Sequence, residues 1–363
     1  MKCSDLFTGR AFSVFKNNVI EEGEPSYNII QQISLKSKEP FDISKLIDFD
    51  QNENFDHYVV ESGEKSYSIR VSLDKDNPNL LNEIDFYKNN KLIQASSYVD
   101  SGVIRIGSDI LFLICEFDEG EDITELGSLS VLEYSTSLFF TLKRLNESKT
   151  DKTFLEFLKL NFDRTNLEDE DSVFYKLLET NYELQFIKDV FSLLREEIYE
   201  SIDSRITDSN KCCHGNLNLA SITTRDGLYK VRNLDFTHLG NPIFDICNII
   251  LNCGFNKAYS LSFFEKYCKY NSFDFLTEKE NFDHIMRIAT ALYYHNLLFD
   301  YLLETSVFEC KRPEKLLNIS LQSSKSFNYL KKLKCSELVY KTIEKILVSP
   351  VVDGDNPAFK DSK

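Results

Sequence analysis

The stretch that most constrains the fold of this chain covers residues 212–245 and reads CCHGNLNLASITTRDGLYKVRNLDFTHLGNPIFD. A His-Gly pair opens a short polar loop, and a hairpin-like segment follows that loop. A Leu-Asp-Phe triplet then begins a second polar loop, which ends in a Pro-containing turn. We interpret these two loops, joined by short strands, as the candidate functional region.

Residues 45–117 are predicted to form a small sheet with one helix. The segments FDHYVV and YSIRVSL are rich in β-formers and flank a turn that contains Gly63. Asn77-Pro78 predicts the start of a helix through PNLLNEIDFYKNNKL. The segment VIRIGSDILFLICEF predicts a second hairpin, with its turn at Gly107. The expected order is strand, strand, helix, strand, strand.

The composition changes after the acidic segment DEGED. No glycine occurs between Gly127 and Gly215, and apolar residues recur every three or four positions. This period predicts helices, at 130–145, 171–202, 258–271, 279–306, 312–333 and 335–348. We therefore assign an N-terminal extension at 1–44, a hinge at 118–128 and a helical domain at 129–348. Residues 349–363 are assigned as a frayed tail. The predicted fold class is α+β.

Charge and hydropathy exclude several classes of partner. The chain has 363 residues and a formal net charge of −16. Phosphate contacts need clustered Lys and Arg, so we expect no nucleic-acid partner and no anionic membrane partner. No stretch approaches the roughly 18 apolar residues of a membrane helix. The first thirty residues lack the apolar run of a secretory signal.

The nine cysteines are scattered without a CxxC pair, which predicts reduced thiols and a cytoplasmic location. Cys212, Cys213 and His214 stand together, with Cys247 and Cys253 downstream. Adjacent cysteines do not easily share one tetrahedral ion, and no pair has the usual spacing of zinc ligands. We therefore expect no zinc site.

The block at 214–246 resembles the motif of the aminoglycoside phosphotransferase and choline kinase family, which has a protein-kinase-like fold. That family shows a pattern like HGDxHxxNI, then a strand, then IDFxxxGxGxPxxDL, and this chain reads HGNLNLASI, then YKVRNLDFTHLGNPIFDI. The residues that match at nearly the same spacing are His214, Gly215, Leu217, Ile222, Asp235, Phe236, Gly240, Pro242, Asp245 and Ile246.

The resemblance spans about residues 45–335 and implies a bilobal protein-kinase-like fold. Residues 45–117 would form a small antiparallel-sheet N-lobe on the nucleotide side. Residues 129–348 would form a larger, mostly helical C-lobe, with the catalytic-type loop at 214–222 and the metal motif at 235–245.

The resemblance also implies ATP and Mg²⁺ as cofactors. Asp235 would supply a carboxylate ligand to Mg²⁺, and the alternative is that it caps a turn. Arg70 would hold phosphate groups with Glu83 as its ion-pair partner, and the alternative is an exposed strand residue. Glu116 would lie at the start of the hinge, on the nucleotide side.

In the catalytic-type loop, the resemblance implies that His214 organises the backbone and that Asp245 accepts hydrogen bonds from the loop's amides. Two positions depart from the family pattern. Asn216 stands where the family has its catalytic Asp. Ser221 stands where it has a second metal-binding Asn, and its hydroxyl would still be able to contact Mg²⁺ from a less favourable position. An amide cannot take a proton from a hydroxyl at neutral pH, and losing such a base costs about 10²–10⁴ in rate. Asn218 is the candidate replacement for one of these groups.

A third departure concerns the segment DFDQNENFD, which matches the nucleotide-covering loop of the family. It contains no glycine, so its backbone amides cannot approach phosphates closely. Together the three departures predict impaired catalysis.

Three functional hypotheses follow. The first is a pseudokinase that acts by binding a protein partner, for which exposed apolar residues on the helix at 171–202 would provide a surface. The second is an active ATP- and Mg²⁺-dependent phosphotransferase that acts on a hydroxyl of a small, cationic or hydroxylated molecule. The third is another nucleotide-dependent transferase on the same fold.

Overall fold

The structure is a computed structural model, and it describes residues 18–51, 55–92, 95–117, 121–122, 131–163, 185–225, 228–307, 326 and 328–348. The chain forms two compact units. The first contains residues 1–160 and 207–245, and the second contains residues 161–206 and 246–363. The domain boundaries proposed from the sequence remain predictions.

The first unit is built on a six-stranded antiparallel sheet with the order β1-β2-β3-β4-β6-β5. Gly63 and Gly107 close its β3–β4 and β5–β6 hairpins with φ angles of 61° and 75°. Glycine adopts this left-handed backbone without strain, and both predicted hairpins form. The strands are β1 (Asn18–Val19), β2 (Lys45–Gln51), β3 (Asp56–Ser62), β4 (Lys65–Ser72), β5 (Tyr98–Ile106) and β6 (Ser108–Glu116).

Strand β2 was not predicted. Its apolar run is only Leu46-Ile47, and acidic residues follow it, so the alternation that marks a strand is too short to recognise. It pairs with β3 along most of its length, with a register shift between Asp48 and Asp50. The segment that matches the nucleotide-covering loop therefore begins in a strand.

Helix α1 (Pro25–Lys36) covers one face of this sheet. Ile30 and Ile33 on the helix are fully buried and belong to one apolar cluster with residues such as Val60 and Ile69 on the strands. Because side chains alternate along a strand, Ser68 and Arg70 of β4 lie on the opposite face. The helix falls in the segment 1–44, for which the sequence suggested no role.

Helix α2 (Pro78–Asn89) begins where the sequence predicts. The Asn77 side chain accepts hydrogen bonds from the Asn79 and Leu80 amides at 3.1 and 3.0 Å, and proline at the first helical position needs no such partner. The buried face of the helix carries the polar residues Asn82 and Glu83.

Short strands and two further helices complete the first unit and lead into the second. A three-stranded sheet has the order β10-β9-β7, and β11 pairs with β8. These elements are β7 (Glu121–Asp122), α3 (Ser135–Asn146), α4 (Phe154–Asp163), β8 (Lys211–Cys213), β9 (Ile222–Arg225), β10 (Leu228–Val231) and β11 (His238–Gly240).

The remaining helices are α5 (Gln185–Ser201), α6 (Ser204–Thr207), α7 (Ile243–Cys253), α8 (Lys257–Asn271), α9 (Phe275–Val307) and α10 (Ser336–Val348). The apolar stripe of α5 packs against α9 and is fully buried at Val190, Phe191 and Leu194. Leu193 and Tyr199 on the same helix are 36% and 54% exposed, so the exposed apolar surface proposed for a partner remains a prediction. Residues 171–184, most of the predicted helix 312–333, most of the hinge and the tail from 349 lie outside the described residues.

The described residues have three features that concern thiol state, metal binding and membrane insertion. The cysteines among them are free thiols. The described residues contain no group of three or more His, Cys, Asp or Glu side chains arranged to hold a metal ion. Within the same part of the chain, every helix is too short or too polar to cross a membrane.

Candidate functional site

Asp245 organises the start of the catalytic-type loop. It is buried in the first turn of α7, and its two carboxylate oxygens accept hydrogen bonds from the His214 and Gly215 amides at 2.8 and 3.1 Å. Burial raises the pKa of Asp245 to about 6, against the opposing effect of these two hydrogen bonds. The contact is structural, because both oxygens are used to hold the backbone.

Gly215 is required by two features of this turn. Its φ of 86° lies in the left-handed region, and a Cβ atom there would stand 2.3 Å from the carbonyl oxygen of Phe236. The loop and the Asp235 segment are thus in direct backbone contact. Any side chain at residue 215 would push them apart.

His214 ties the same loop to the end of β10. Its Nε2 donates a hydrogen bond to the carbonyl oxygen of Arg232 at 2.8 Å, and the ring is fully buried. Burial lowers the pKa of His214 to about 4. The ring is therefore neutral at pH 7, and its donor nitrogen faces the backbone rather than a substrate.

His238 is a second organiser, which the sequence analysis did not identify. Its Nδ1 donates to the Phe236 carbonyl oxygen at 3.0 Å, and its ring stacks on Phe157 with centroids 4.2 Å apart. Burial lowers the pKa of His238 to about 4. Its position between Phe236 and Gly240 in the matched block was the available signal.

Asn216 and Ser221 occupy the two positions that depart from the family pattern. Asn216 is half-buried, whereas Ser221 is 1% exposed. The Ser221 hydroxyl lies 3.0 Å from Asn218 Oδ1 and 3.3 Å from the Asn216 carbonyl oxygen. The hydroxyl is therefore engaged within the loop.

Asn218 is also engaged in the loop. Its Oδ1 accepts a hydrogen bond from the Ser221 amide at 2.9 Å and so caps the 3₁₀ turn Leu219–Ser221. This use of the side-chain oxygen leaves Asn218 poorly suited to replace a catalytic carboxylate.

Helix α2 holds the 3₁₀ turn Leu234–Phe236, which carries Asp235. The Asn82 side-chain amide donates to the carbonyl oxygens of Asp235 and Thr237 at 2.8 and 3.1 Å. The Leu234 amide donates to Glu83 Oε1 at 3.1 Å. Asp235 itself is 6% exposed. The structure thus adds Asn82 to the residues that position this turn.

Arg70 and Glu83 form a buried ion pair, with side chains 7% and 0% exposed. Burial opposes the charge on Arg70, but Glu83 outweighs it, so the pKa of Arg70 is raised. A second nitrogen, Nη2, donates to Asn233 Oδ1 at 2.7 Å. Arg70 is therefore not an exposed strand residue.

A cavity of about 20 Å³ lies beside Arg70, and its lining includes Ser68, Phe117, Lys230 and the side chain of His57. His57 Nε2 is 2.7 Å from Ser68 Oγ. Burial first, and then Arg70 and Arg232, lowers the pKa of His57 well below its usual value. Since a water molecule needs about 10–15 Å³ of such space, the cavity has room for about one water molecule and does not admit a nucleobase.

Glu116 is not among the residues that line this cavity. It is the last residue of β6 and lies 3.6 Å from Lys65 Nζ in a half-exposed ion pair. Among the residues predicted from the sequence, the structure brings together Arg70 and Glu83 beside the Asp235 turn. It also joins His214 and Asp245 at the catalytic-type loop.

No protein-family model matches the chain, and no curated protein sequence matches it. Solved structures do share its fold. Amicoumacin kinase in complex with AMP-PNP and Ca²⁺ aligns with a TM-score of 0.55 and 13% identity, over 84% of this chain and 94% of that chain. An aminoglycoside phosphotransferase in a ternary complex with AMP-PNP and hygromycin B aligns with a TM-score of 0.52 and 11% identity, over 86% of this chain and 98% of that chain. Spectinomycin phosphotransferase in complex with ADP and spectinomycin aligns with a TM-score of 0.51 and 12% identity, over 87% of this chain and 98% of that chain.

These similarities confirm the predicted fold class. The chain has the α+β, protein-kinase-like fold of the aminoglycoside phosphotransferases.

Proposed function

We propose that this protein is a pseudokinase, which uses a kinase fold to bind and regulate a protein partner and is impaired in phosphoryl transfer. The observation that carries the proposal is the composition of the catalytic-type loop. An amide, Asn216, stands at the position of the general base, and the nearby Ser221 hydroxyl is bonded inside the loop. The loop is well ordered by Asp245 and His214, so its structure is retained while its reactive group is absent.

The chemical consequence follows from the proton that must leave the accepting hydroxyl. A carboxylate can accept that proton in the transition state, whereas a neutral amide cannot. The loss of this help corresponds to a rate lower by about 10²–10⁴.

The residues present do not fit the two-ligand metal site that the family resemblance implies. Asp235 offers one carboxylate, and Ser221 offers a hydroxyl that is hydrogen-bonded to the Asn218 side chain. Mg²⁺ at phosphate-transfer sites is usually held by one or two carboxylates together with waters and phosphate oxygens, so Asp235 would serve one ion, whereas the second ligand position has only the engaged Ser221 hydroxyl. The proposed binding function therefore does not require a metal ion.

The second candidate is an active phosphotransferase that transfers phosphate from ATP to a hydroxyl of a small molecule. Two features favour it, because phosphoryl transfer needs both: the Arg70–Glu83 ion pair is formed, and the Asp235 turn is hydrogen-bonded to helix α2. Proteins of the same fold form complexes with AMP-PNP and hygromycin B or with ADP and spectinomycin. A small hydroxylated substrate would be the matching ligand class.

Thermal unfolding with and without ATP, each with and without Mg²⁺, together with an ATP hydrolysis assay, separates the two candidates. A ligand that binds only the native state stabilises it by about 2.7 kcal/mol at a hundredfold excess over its dissociation constant. The pseudokinase proposal expects no Mg²⁺-dependent shift with ATP and no turnover. A shift that needs both ligands, accompanied by turnover, would establish the active enzyme instead.

The Asn216→Asp variant tests the reason for the impairment. If the missing base is the main defect, the variant raises transfer by about tenfold or more. Asn89→Asp is the matched control, because it adds the same charge at an exposed position on α2. Equal activity in wild type and both variants, at a level well above background, would contradict the proposed defect.

A further inference from the structure

Asn233 has an unusual backbone for a residue with a side chain. Its φ and ψ are 61° and 60°, in the left-handed region. Asparagine visits this region more readily than most residues, often because its side chain bonds locally. Asn233 stands at the N-cap of the turn Leu234–Phe236, yet its side chain makes no capping bond there.

The side chain of Asn233 is directed instead to Arg70. Its Oδ1 accepts a hydrogen bond from Arg70 Nη2 at 2.7 Å, at the short end of the range for a charged donor. The other terminal nitrogen of the guanidinium is held by Glu83. The Arg70 guanidinium therefore binds a carboxylate, which balances its charge, through one terminal nitrogen and a neutral oxygen through the other.

The neutral Asn233 oxygen that accepts a hydrogen bond from the Arg70 guanidinium can be replaced by an anionic oxygen. Guanidinium groups bind phosphate oxygens through the same donors, and hydrogen bonds to charged groups are about twice as strong as those between neutral groups. The cavity beside Arg70 also has the basic residues Lys230 and Arg232 in its lining, but its volume is about 20 Å³. A phosphate group would have to widen this space as it enters.

From this arrangement we infer that Asn233 is an autoinhibitory latch, whose side-chain oxygen occupies the place on Arg70 that an oxygen of a phosphate-bearing anion would take. The inference rests on the proposed function in one respect, that the kinase fold places Arg70 in a cleft where phosphate groups bind, as the second candidate also requires. It adds that the cleft takes a phosphate-bearing ligand only when the Arg70–Asn233 bond opens. The latch is a feature of this chain's own residues, since Asn233 lies outside the matched motif positions.

The Asn233→Gly variant tests the latch directly. Glycine adopts a φ of 61° without strain, so the substitution removes the Oδ1 acceptor and preserves the turn. Isothermal titration with pyrophosphate, without metal or purine, measures the anion contact alone. We expect the variant to bind pyrophosphate about tenfold more tightly than wild type, the value of one hydrogen bond to a charged group.

Two further variants control this result. Ser272→Gly places glycine at another described residue with positive φ, 59°, in the second compact unit, and it is expected to leave pyrophosphate affinity unchanged. Asn233→Asp places a carboxylate against Arg70, which should hold the latch closed and weaken pyrophosphate binding below the wild-type level. Should Asn233→Gly fail to fold, Asn233→Ser replaces it, because Ser272 shows that serine adopts the same backbone here.

A purely structural contact would give a different pattern. The variants at residue 233 would then change the unfolding temperature while all bound pyrophosphate with wild-type affinity, and this result would overturn the latch. The gain in Asn233→Gly should also disappear when Arg70→Lys is added, because the planar fork is lost. A gain that persists in the double variant would show that the anion binds elsewhere.

The outcome for the latch is separable from the outcome for the proposed function. Tighter pyrophosphate binding without ATP turnover supports both. No change in affinity overturns the latch and leaves the pseudokinase proposal standing. ATP turnover by the wild-type protein overturns the pseudokinase proposal, and the pyrophosphate titrations still decide the latch.

Discussion

Replacing Glu83 by Gln tests whether the ion pair with Arg70 stabilises the first compact unit. The substitution keeps the shape of the side chain and retains an oxygen that can accept the Leu234 amide, now 3.1 Å from Glu83 Oε1. It removes the charge that faces Arg70, whose side chain is only 7% exposed. The experiment therefore isolates an uncompensated buried cation.

The expected cost is large because the pair is deeply buried. Removing one partner of a buried ion pair typically costs about 3–5 kcal/mol of unfolding free energy. We expect about 3 kcal/mol for Glu83→Gln, the lower end, because the bond to Leu234 survives. With a urea m-value of about 1–3 kcal/mol/M, the unfolding midpoint should fall by about 1–3 M.

The measurement is urea unfolding followed by circular dichroism, with Glu61→Gln as the matched control. Glu61 pairs with Lys45 at 3.0 Å, but both side chains are 43% exposed. An exposed pair contributes about 0–1 kcal/mol, so the control should stay within that range. If Glu83→Gln cost no more than Glu61→Gln, the burial argument would be refuted.

Three other perturbations have defined outcomes. Gly215→Ala should cost about 2 kcal/mol or more in urea unfolding, because alanine at positive φ is strained and its Cβ meets a carbonyl oxygen at 2.3 Å; an unchanged midpoint would contradict this. The free energy of unfolding should fall between pH 7 and pH 4.5, because burial lowers the folded pKa values of His57, His214 and His238, and these residues take up protons more readily in the unfolded state; Asp245, with a folded pKa of about 6, offsets part of this fall. Urea unfolding at pH 7 and pH 4.5 measures this slope, and a flat profile would refute it. Ile33→Ala should cost about 2–5 kcal/mol by the same measurement, and a loss below 1 would show that α1 packs loosely.

The features that the sequence predicted well are those with local signals. The turn glycines at 63 and 107 marked both hairpins, and Asn77-Pro78 marked the start of α2. Each depends on residues only a few positions apart, so no knowledge of the tertiary structure was needed. The matched block also indicated the correct fold, because its two loops are close in sequence.

The contacts that the sequence could not predict join distant residues. Asn82 lies 153 positions before the carbonyl group it holds, and Arg70 lies 163 positions before Asn233. Asparagine on a helix is ordinarily a solvent-facing residue, and nothing local distinguishes one that binds a remote backbone. Helix α1 was not predicted for the same reason, because Ile30 and Ile33 are buried only by packing against the sheet.

The position of α1 has a consequence for how the chain is made. Ile30 belongs to an apolar cluster that also includes Ile114 on β6, so its complete partner surface exists only after some 84 further residues have been synthesised. At about 5–20 residues per second, that delay is about 4–17 s, far longer than a hydrophobic collapse. Strands β2 to β4 are made earlier in that interval, so the apolar side of α1 is only partly covered until β6 is complete. Nascent-chain binding by a chaperone should therefore include α1.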